Sequence, residues 1–273
     1  MGLLQYIENI GVDLRSGSEI PLSDGSTGLL LCNPSKLECG VAEQGSEKLI
    51  VLHTTDQASQ LQFNVEKGGK LQLIELFLAN STAKSVICQQ ADSCCQVTSI
   101  IIDSASADYQ VDMNGEGADS QLRSIFLLSK SEQAKVGVRV NHNASHTFSD
   151  SLVKGVASGE ARGEFDGLVY VADGVGQVDA RQLSRNIVIG SKAHIATNPQ
   201  LEIYADDVKC SHGATVGQLD GDAVLYMRQR GLSEAQARSL QLEGFVVDVL
   251  SLVNDEGAFE ALKQDLDNKL ESL

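Results

Sequence analysis

Cys210 and His212 are the residues whose type and spacing most directly offer chemistry. They stand in Leu201-Glu-Ile-Tyr-Ala-Asp-Asp-Val-Lys-Cys210-Ser-His212-Gly-Ala-Thr-Val-Gly-Gln218. In an extended chain, residues two apart point to the same face. Val208, Cys210 and His212 then share one face, and Lys209 and Ser211 the other. A thiolate beside an imidazole suits iron, iron–sulfur or zinc better than magnesium. Two ligands are half of a site, and an inert buried cysteine beside a satisfied histidine is the plainer reading of the same spacing.

Other constellations carry less. The remaining cysteines are Cys32, Cys39, Cys88, Cys94 and Cys95, with no Cys-x-x-Cys and no ferredoxin spacing. They are expected to pack as small hydrophobes, and on a strand the adjacent Cys94 and Cys95 point to opposite faces. His142 and His146 are four apart, which puts them on one face of a strand or a helix. No Glu follows His142 and no third ligand lies near, so a structural or surface role is expected. Glu202, Asp206 and Asp207 are expected to be solvated around a turn. No P-loop exists, because Leu71 follows Gly69-Lys70 and Asn64 takes the first glycine position. Gly115-Glu-Gly117 has Ser120 where a dinucleotide fingerprint needs glycine. Neither Gly-x-Ser-x-Gly nor His-Glu-x-x-His occurs. Little supports an enzyme.

The elements that must position the Cys–His pair are short. From Pro21 onward, apolar bursts alternate with polar and glycine turns, as in Leu29–Leu31, Leu49–Leu52 and Gln60–Val65. The theme continues through Leu71–Leu78, Val86–Cys88, Val97–Ile102, Tyr109–Met113 and Leu122–Leu128, and again through Val136–Val140, Leu152–Val156, Glu164–Val171, Gln177–Ala180 and Ile187–Ile189. The motif strand is expected to begin after Asn198-Pro199. No helical stretch interrupts Pro21 to Gln218, which excludes a βαβ sheet. An antiparallel sandwich or barrel and a β-solenoid both remain, since no hexapeptide repeat is present. After Gln218 the period changes. Asp220 caps a helix with an apolar stripe of Ala223, Val224, Tyr226 and Met227, ended by Gly231. Ser233-x-x-Gln236 is a capping box for a second helix running through Val249. A third starts near Asp255 and carries Leu262, Leu266 and Leu270. The expected division is an N-terminal segment over 1–20 with a helical turn or two in Leu3 to Ile10, a β core over 21–218 and a helical domain over 219–273.

Composition bounds the partners. The chain has 273 residues, enough for one large domain with an appendage. Aromatic residues are 4% and Trp is absent, so the core must be aliphatic. A net charge of −16 argues against a nucleic-acid partner, which needs a basic patch. The longest apolar runs, such as Ile100–Ile102, are too short to span a bilayer. Met1 to Ile10 lacks the pattern of a signal peptide. A cytoplasmic protein with reduced cysteines is expected.

The run Leu-Glu-Ile-x-Ala-Asp-Asp-Val-Lys-Cys-Ser-His-Gly-Ala-Thr resembles the signature of the SufB/SufD family of iron–sulfur cluster assembly scaffolds, on its SufD side. His142-x3-His146-Thr147-x-Ser149 and Lys154-Gly155 also match, as do Leu225-Tyr226-Met227-x2-Arg230-Gly231-Leu232 and Gly244-Phe245. SufB proteins carry a His-Glu-Ala-Thr version where Ser211-His212-Gly213-Ala214-Thr215 stands. The resemblance covers about 135 to 250 and implies a right-handed parallel β-helix followed by helices. It further implies a non-catalytic scaffold acting with SufB and the ATPase SufC, the latter docking on the helical end, with a homodimer as the fallback. Cys210 and His212 match residues near the interface of the two scaffold subunits. They would share a transient iron–sulfur cluster with a partner, none being held tightly by this chain alone. The chain is expected to be a short form with a reduced N-terminal helical region. The alternative is a β-helix polysaccharide lyase or hydrolase, which carboxylate clusters on successive coils would favour.

Overall fold

The computed structural model describes residues 2, 3, 5, 18–22 and 26–273. The helical turns expected in Leu3 to Ile10 fall largely outside them. Two sheets form the body. The first is nine-stranded: β1 (Ser18–Pro21), β2 (Thr27–Cys32), β4 (Ser46–His53), β6 (Lys70–Phe77), β8 (Cys94–Ile101), β10 (Asp119–Leu128), β12 (Phe148–Ser158), β14 (Val178–Ile189) and β16 (Val208–Gly217). The second has seven strands: β3 (Lys36–Val41), β5 (Ala58–Val65), β7 (Ser81–Gln89), β9 (Ala105–Met113), β11 (Gln133–His142), β13 (Arg162–Val171) and β15 (His194–Ile203). The chain alternates between them from β2 on, and from β4 onward each strand pairs in parallel with the strand two before it, β1 with β2 being antiparallel. The result is a parallel β-helix whose every coil gives one strand to each sheet. The sandwich and barrel readings fall away.

Register explains why no repeat was visible. Leu29 lies beside Leu49, Lys70 beside Cys94 and Phe148 beside Asp179, so a coil takes 20 residues at first, then 24, and 31 late. The turns absorb the difference and the rungs do not. Inside, Leu49, Leu73, Val97 and Leu122 form one row, and Phe77, Ile101 and Phe126 another. In the late coils the second row needs glycine: a methyl at Gly155, beside Phe126, would strike its ring.

The C-terminal halves of β4, β6, β8, β10 and β12 are buried on both faces, which is why they read as continuous apolar bursts. Their outer row Leu52, Leu76, Ile100 and Ile125 is covered by the C-terminal segment. That segment comprises α1 (Gly221–Gln229), α2 (Glu234–Val246), a 3-10 turn (Val247–Leu252) and α3 (Glu256–Leu270). Leu242, Val246, Val249, Leu250, Leu262 and Leu266 face the sheet. The caps at Asp220 and Ser233 are those expected, and Asp255, near which the third helix was expected to start, is its cap. Asp220 accepts from the amides of Asp222 and Ala223, Ser233 and Gln236 form the reciprocal box, and Asp255 accepts from Ala258. Gly231 ends the first helix at φ +100°, a conformation open to glycine. The second helix differs from expectation: it tightens to 3-10 from Val247, where Val249 and Leu250 turn into the core.

Polar anchors fasten this layer. Lys154, 3% exposed, continues the outer row after Ile125. Its ammonium reaches both Asp248 carboxylate oxygens and the Phe245 carbonyl at 2.6 Å, and lies 4.4 Å over the Phe245 ring. Lys269 pairs with Glu132 at 2.7 Å. The first helix is held differently. None of its residues is buried: Tyr226 of the expected stripe is 55% exposed, and Leu225 next to it 52%.

Candidate functional site

β16 and β15 are the last strands of their sheets. Among the described residues nothing pairs with their outer edges. Strand β15 begins at His194, earlier than expected, and passes through Pro199. Pro199 lacks an amide proton, which an edge strand tolerates. Beyond the turn at Ala205–Asp207, β16 carries the Cys–His pair.

Register shows where the pair points. Ala180 and Gln182 on β14 are interior residues, and β16 sets Cys210 beside the first and His212 beside the second. In a parallel pair, opposed residues face the same side. Cys210, His212, Ala214 and Val216 therefore occupy interior positions of a coil that, among the described residues, has no further coil over it. Cys210 is half-buried against Val169, Val171, Val178 and Ala180, whereas His212 is exposed. Ile203, Tyr204 and Val216 leave apolar surface at the same end, at 38%, 61% and 47% exposure.

The electrostatics disfavour the thiolate of Cys210. Burial pushes the Cys210 thiol up, and the charge of Asp179 adds to the effect. Deprotonation thus awaits a cation. Glu202, Asp206 and Asp207 are exposed around the turn, as expected.

The other sequence candidates separate. His142 ends β11 fully buried, its Nδ1 2.7 Å from the Thr147 hydroxyl and its Nε2 2.9 Å from that of Ser149. Burial lowers its pKa to about 4. His146 is exposed in the following turn at φ +58°, so the pair shares no face. The turn breaks the spacing that a continuous element would keep. Cys95 is interior, with its thiol pushed up by burial, and Cys94 is half-buried on the opposite face. Among the described residues, no group of three or more His, Cys, Asp or Glu gathers as metal ligands do.

One cluster escaped the sequence reading. Glu75, fully buried, accepts from His53 Nε2 at 3.0 Å and from the Ser85 hydroxyl at 3.3 Å. The His53 ring stacks on Phe77 at 4.3 Å. Tyr109 lies beside Glu75, and its phenol is raised by burial first and by that charge second. The signal was present, since Glu75 alternates with the interior Leu71 and Leu73. Gln182, directly beside His212, was likewise overlooked.

Comparison with known proteins bears on the edge strand. Residues 41–245 match the family model described as SUF system FeS cluster assembly, SufBD core domain. The chain is 36% identical over 145 residues to the iron-sulfur cluster assembly protein SufD of Escherichia coli, covering 53% of this chain and 34% of that protein. Against an iron-sulfur cluster assembly SufBD family protein of Synechocystis, identity is 35% over 144 residues, with 53% and 32% covered. A chloroplastic SufBD family protein of Arabidopsis thaliana is 27% identical over 159 residues, or 58% of this chain and 28% of the relative. The alignments span about a third of each relative's length. No helix among the described residues is long and apolar enough to cross a membrane.

Proposed function

The chain belongs to the SufB/SufD family and is of the SufD type, and on that premise we propose that it is a non-catalytic, cytoplasmic scaffold subunit for iron–sulfur cluster assembly. One observation carries this reading: the Cys210–His212 pair lies at interior positions of an end coil that nothing among the described residues covers. Two ligands from one chain need more from another, because a cluster ordinarily takes four. A partner that adds strands to the free edge would supply both the cover and the missing ligands. The partner proposed is SufB, with a second copy of this chain as the fallback. The cluster is cargo, held across the interface and passed on, and the weaker grip of a neutral imidazole suits release.

The ATPase SufC is proposed to dock on the helical end. The first helix has the free surface for it, with Leu225 and Tyr226 exposed and Arg230 stacked 4.4 Å from the Tyr226 ring. Light scattering of the chain mixed with SufB tests the pairing. A one-to-one complex that Val216→Asp weakens is expected, and two separate species would overturn it. Co-purification with SufC should be lost in Leu225→Asp/Tyr226→Asp while the circular dichroism stays unchanged, since that helix buries no residue. Retained co-purification would contradict the docking site.

A further inference from the structure

The rung that faces the same side as His212 is filled by Gln182. This side chain is 1% exposed, and neither its amide oxygen nor its amide nitrogen has a hydrogen-bond partner. A buried primary amide left so is costly, and each such group calls for a partner. Its place is a built one. A methyl at Gly167, across the interior, would strike both Gln182 Oε1 and the Phe165 ring, so the amide occupies space that the missing Cβ leaves. Register then decides what lies within reach. Ser151 is beside Gln182 on one side and His212 on the other, each one strand spacing of about 4.8 Å away.

We propose that Gln182 is a positioning residue for His212. When a partner chain covers the open coil, the imidazole turns over this rung and donates its ring N–H to Gln182 Oε1. The other ring nitrogen then keeps its lone pair free and aimed at the interface. This rests on the reading of His212 as an iron ligand given above. Histidines that bind metals commonly donate their second ring nitrogen to a fixed acceptor, which sets tautomer and orientation. An amide suits the task because it is neutral at every pH and leaves the imidazole neutral, the form that binds metal.

The test is nitrogen-15 NMR of the assembled complex, with histidine labelled in this chain and His212 assigned by its loss in His212→Ala. At a pH where the ring is neutral, the parent should show one tautomer, its two ring nitrogens well separated. Gln182→Leu should collapse them toward the averaged positions of a free imidazole, and Gln182→Glu should restore the separation. Where the leucine variant fails to fold, Gln182→Met removes the same polar atoms at nearly the same length. Ring nitrogens unchanged in both apolar variants would overturn the proposal. Iron loading separates this from the underlying reading. If His212→Ala loads as the parent does while Gln182 still sets the tautomer, the contact stands and the ligand assignment falls. If His212→Ala loses the cluster while the tautomer ignores Gln182, the positioning role falls alone. Where both hold, the apolar variants should lower iron affinity about tenfold.

Discussion

At the scale of single residues, two buried groups make the sharpest forecasts. Lys154 and Asp248 form one ion pair with unequal surroundings, the lysine side chain being 3% exposed and the aspartate 48%. Removing either breaks the same contact, but the group left behind differs. Asp248→Ala leaves an ammonium buried under the helical layer and should cost about 3 kcal/mol. Lys154→Met keeps the apolar stem and leaves a carboxylate that water reaches, so about 1 kcal/mol is expected. Urea midpoints of the two variants check the asymmetry, and equal losses would refute it. His142 makes a pH forecast. Its pKa is lowered by burial from an ordinary 6.5 to about 4. Between these values the unfolded chain binds the extra proton, so stability is full above pH 6.5 and falls as pH drops toward 4, by about 3 kcal/mol. His142→Gln should flatten that part of the stability–pH curve, as read by thermal melts across the window. The Cys–His pair was legible because strand geometry alone puts residues two apart on one face. Gln182 was not, because an isolated glutamine announces nothing until the register sets it beside His212.

At the scale of elements, period and punctuation were enough to find most strands, and the misses have physical causes. In β3, Leu37, Cys39 and Val41 do alternate, but Lys36, Glu38 and Gly40 dilute a short signal. The two fragments read in Gln177–Ala180 and Ile187–Ile189 are one strand, β14, whose interior positions hold Gln182, Ser184 and Asn186 where apolar residues would be looked for. The caps at Asp220 and Ser233 were legible to the residue, since capping chemistry is local. Two element-level outcomes follow. Gly155→Ala must push against the Phe126 ring and should destabilise by about 1–3 kcal/mol, measured by chemical unfolding. Truncation at 219 removes the cover from Leu52, Leu76, Ile100 and Ile125. The truncated chain should aggregate or bind a hydrophobic dye, so probing the helical end calls for surface substitutions rather than deletion. A monodisperse, dye-silent truncation would show that the helices are not needed to cover that face.

At the scale of the whole molecule, the sequence excluded crossover helices and left sandwich and solenoid equally open, because coils of 20 to 31 residues along the nine-stranded sheet hide their own repeat. The paired register resolves that choice and explains the division of labour. One sheet is sealed by helices, and the other carries a polar outer face. The last coil presents interior chemistry to the outside. A solenoid stands on contacts between neighbouring coils, so its terminal coil is where a second chain continues the stack at least structural cost. Light scattering of the chain alone should therefore show self-association at high concentration, displaced when SufB is added. A strict monomer that also ignores SufB would leave the open end without an occupant.

The central claim is that His212, with Cys210 as the weaker ligand, holds part of a cluster shared across that end. Anaerobic reconstitution of the assembled complex with iron and sulfide tests it, comparing His212→Ala and Cys210→Ala with the parent. The account predicts that all three complexes assemble, that His212→Ala loses most of the cluster absorbance and bound iron, and that Cys210→Ala loses less. Equal loading in parent and both variants would contradict it and place the assembly site elsewhere.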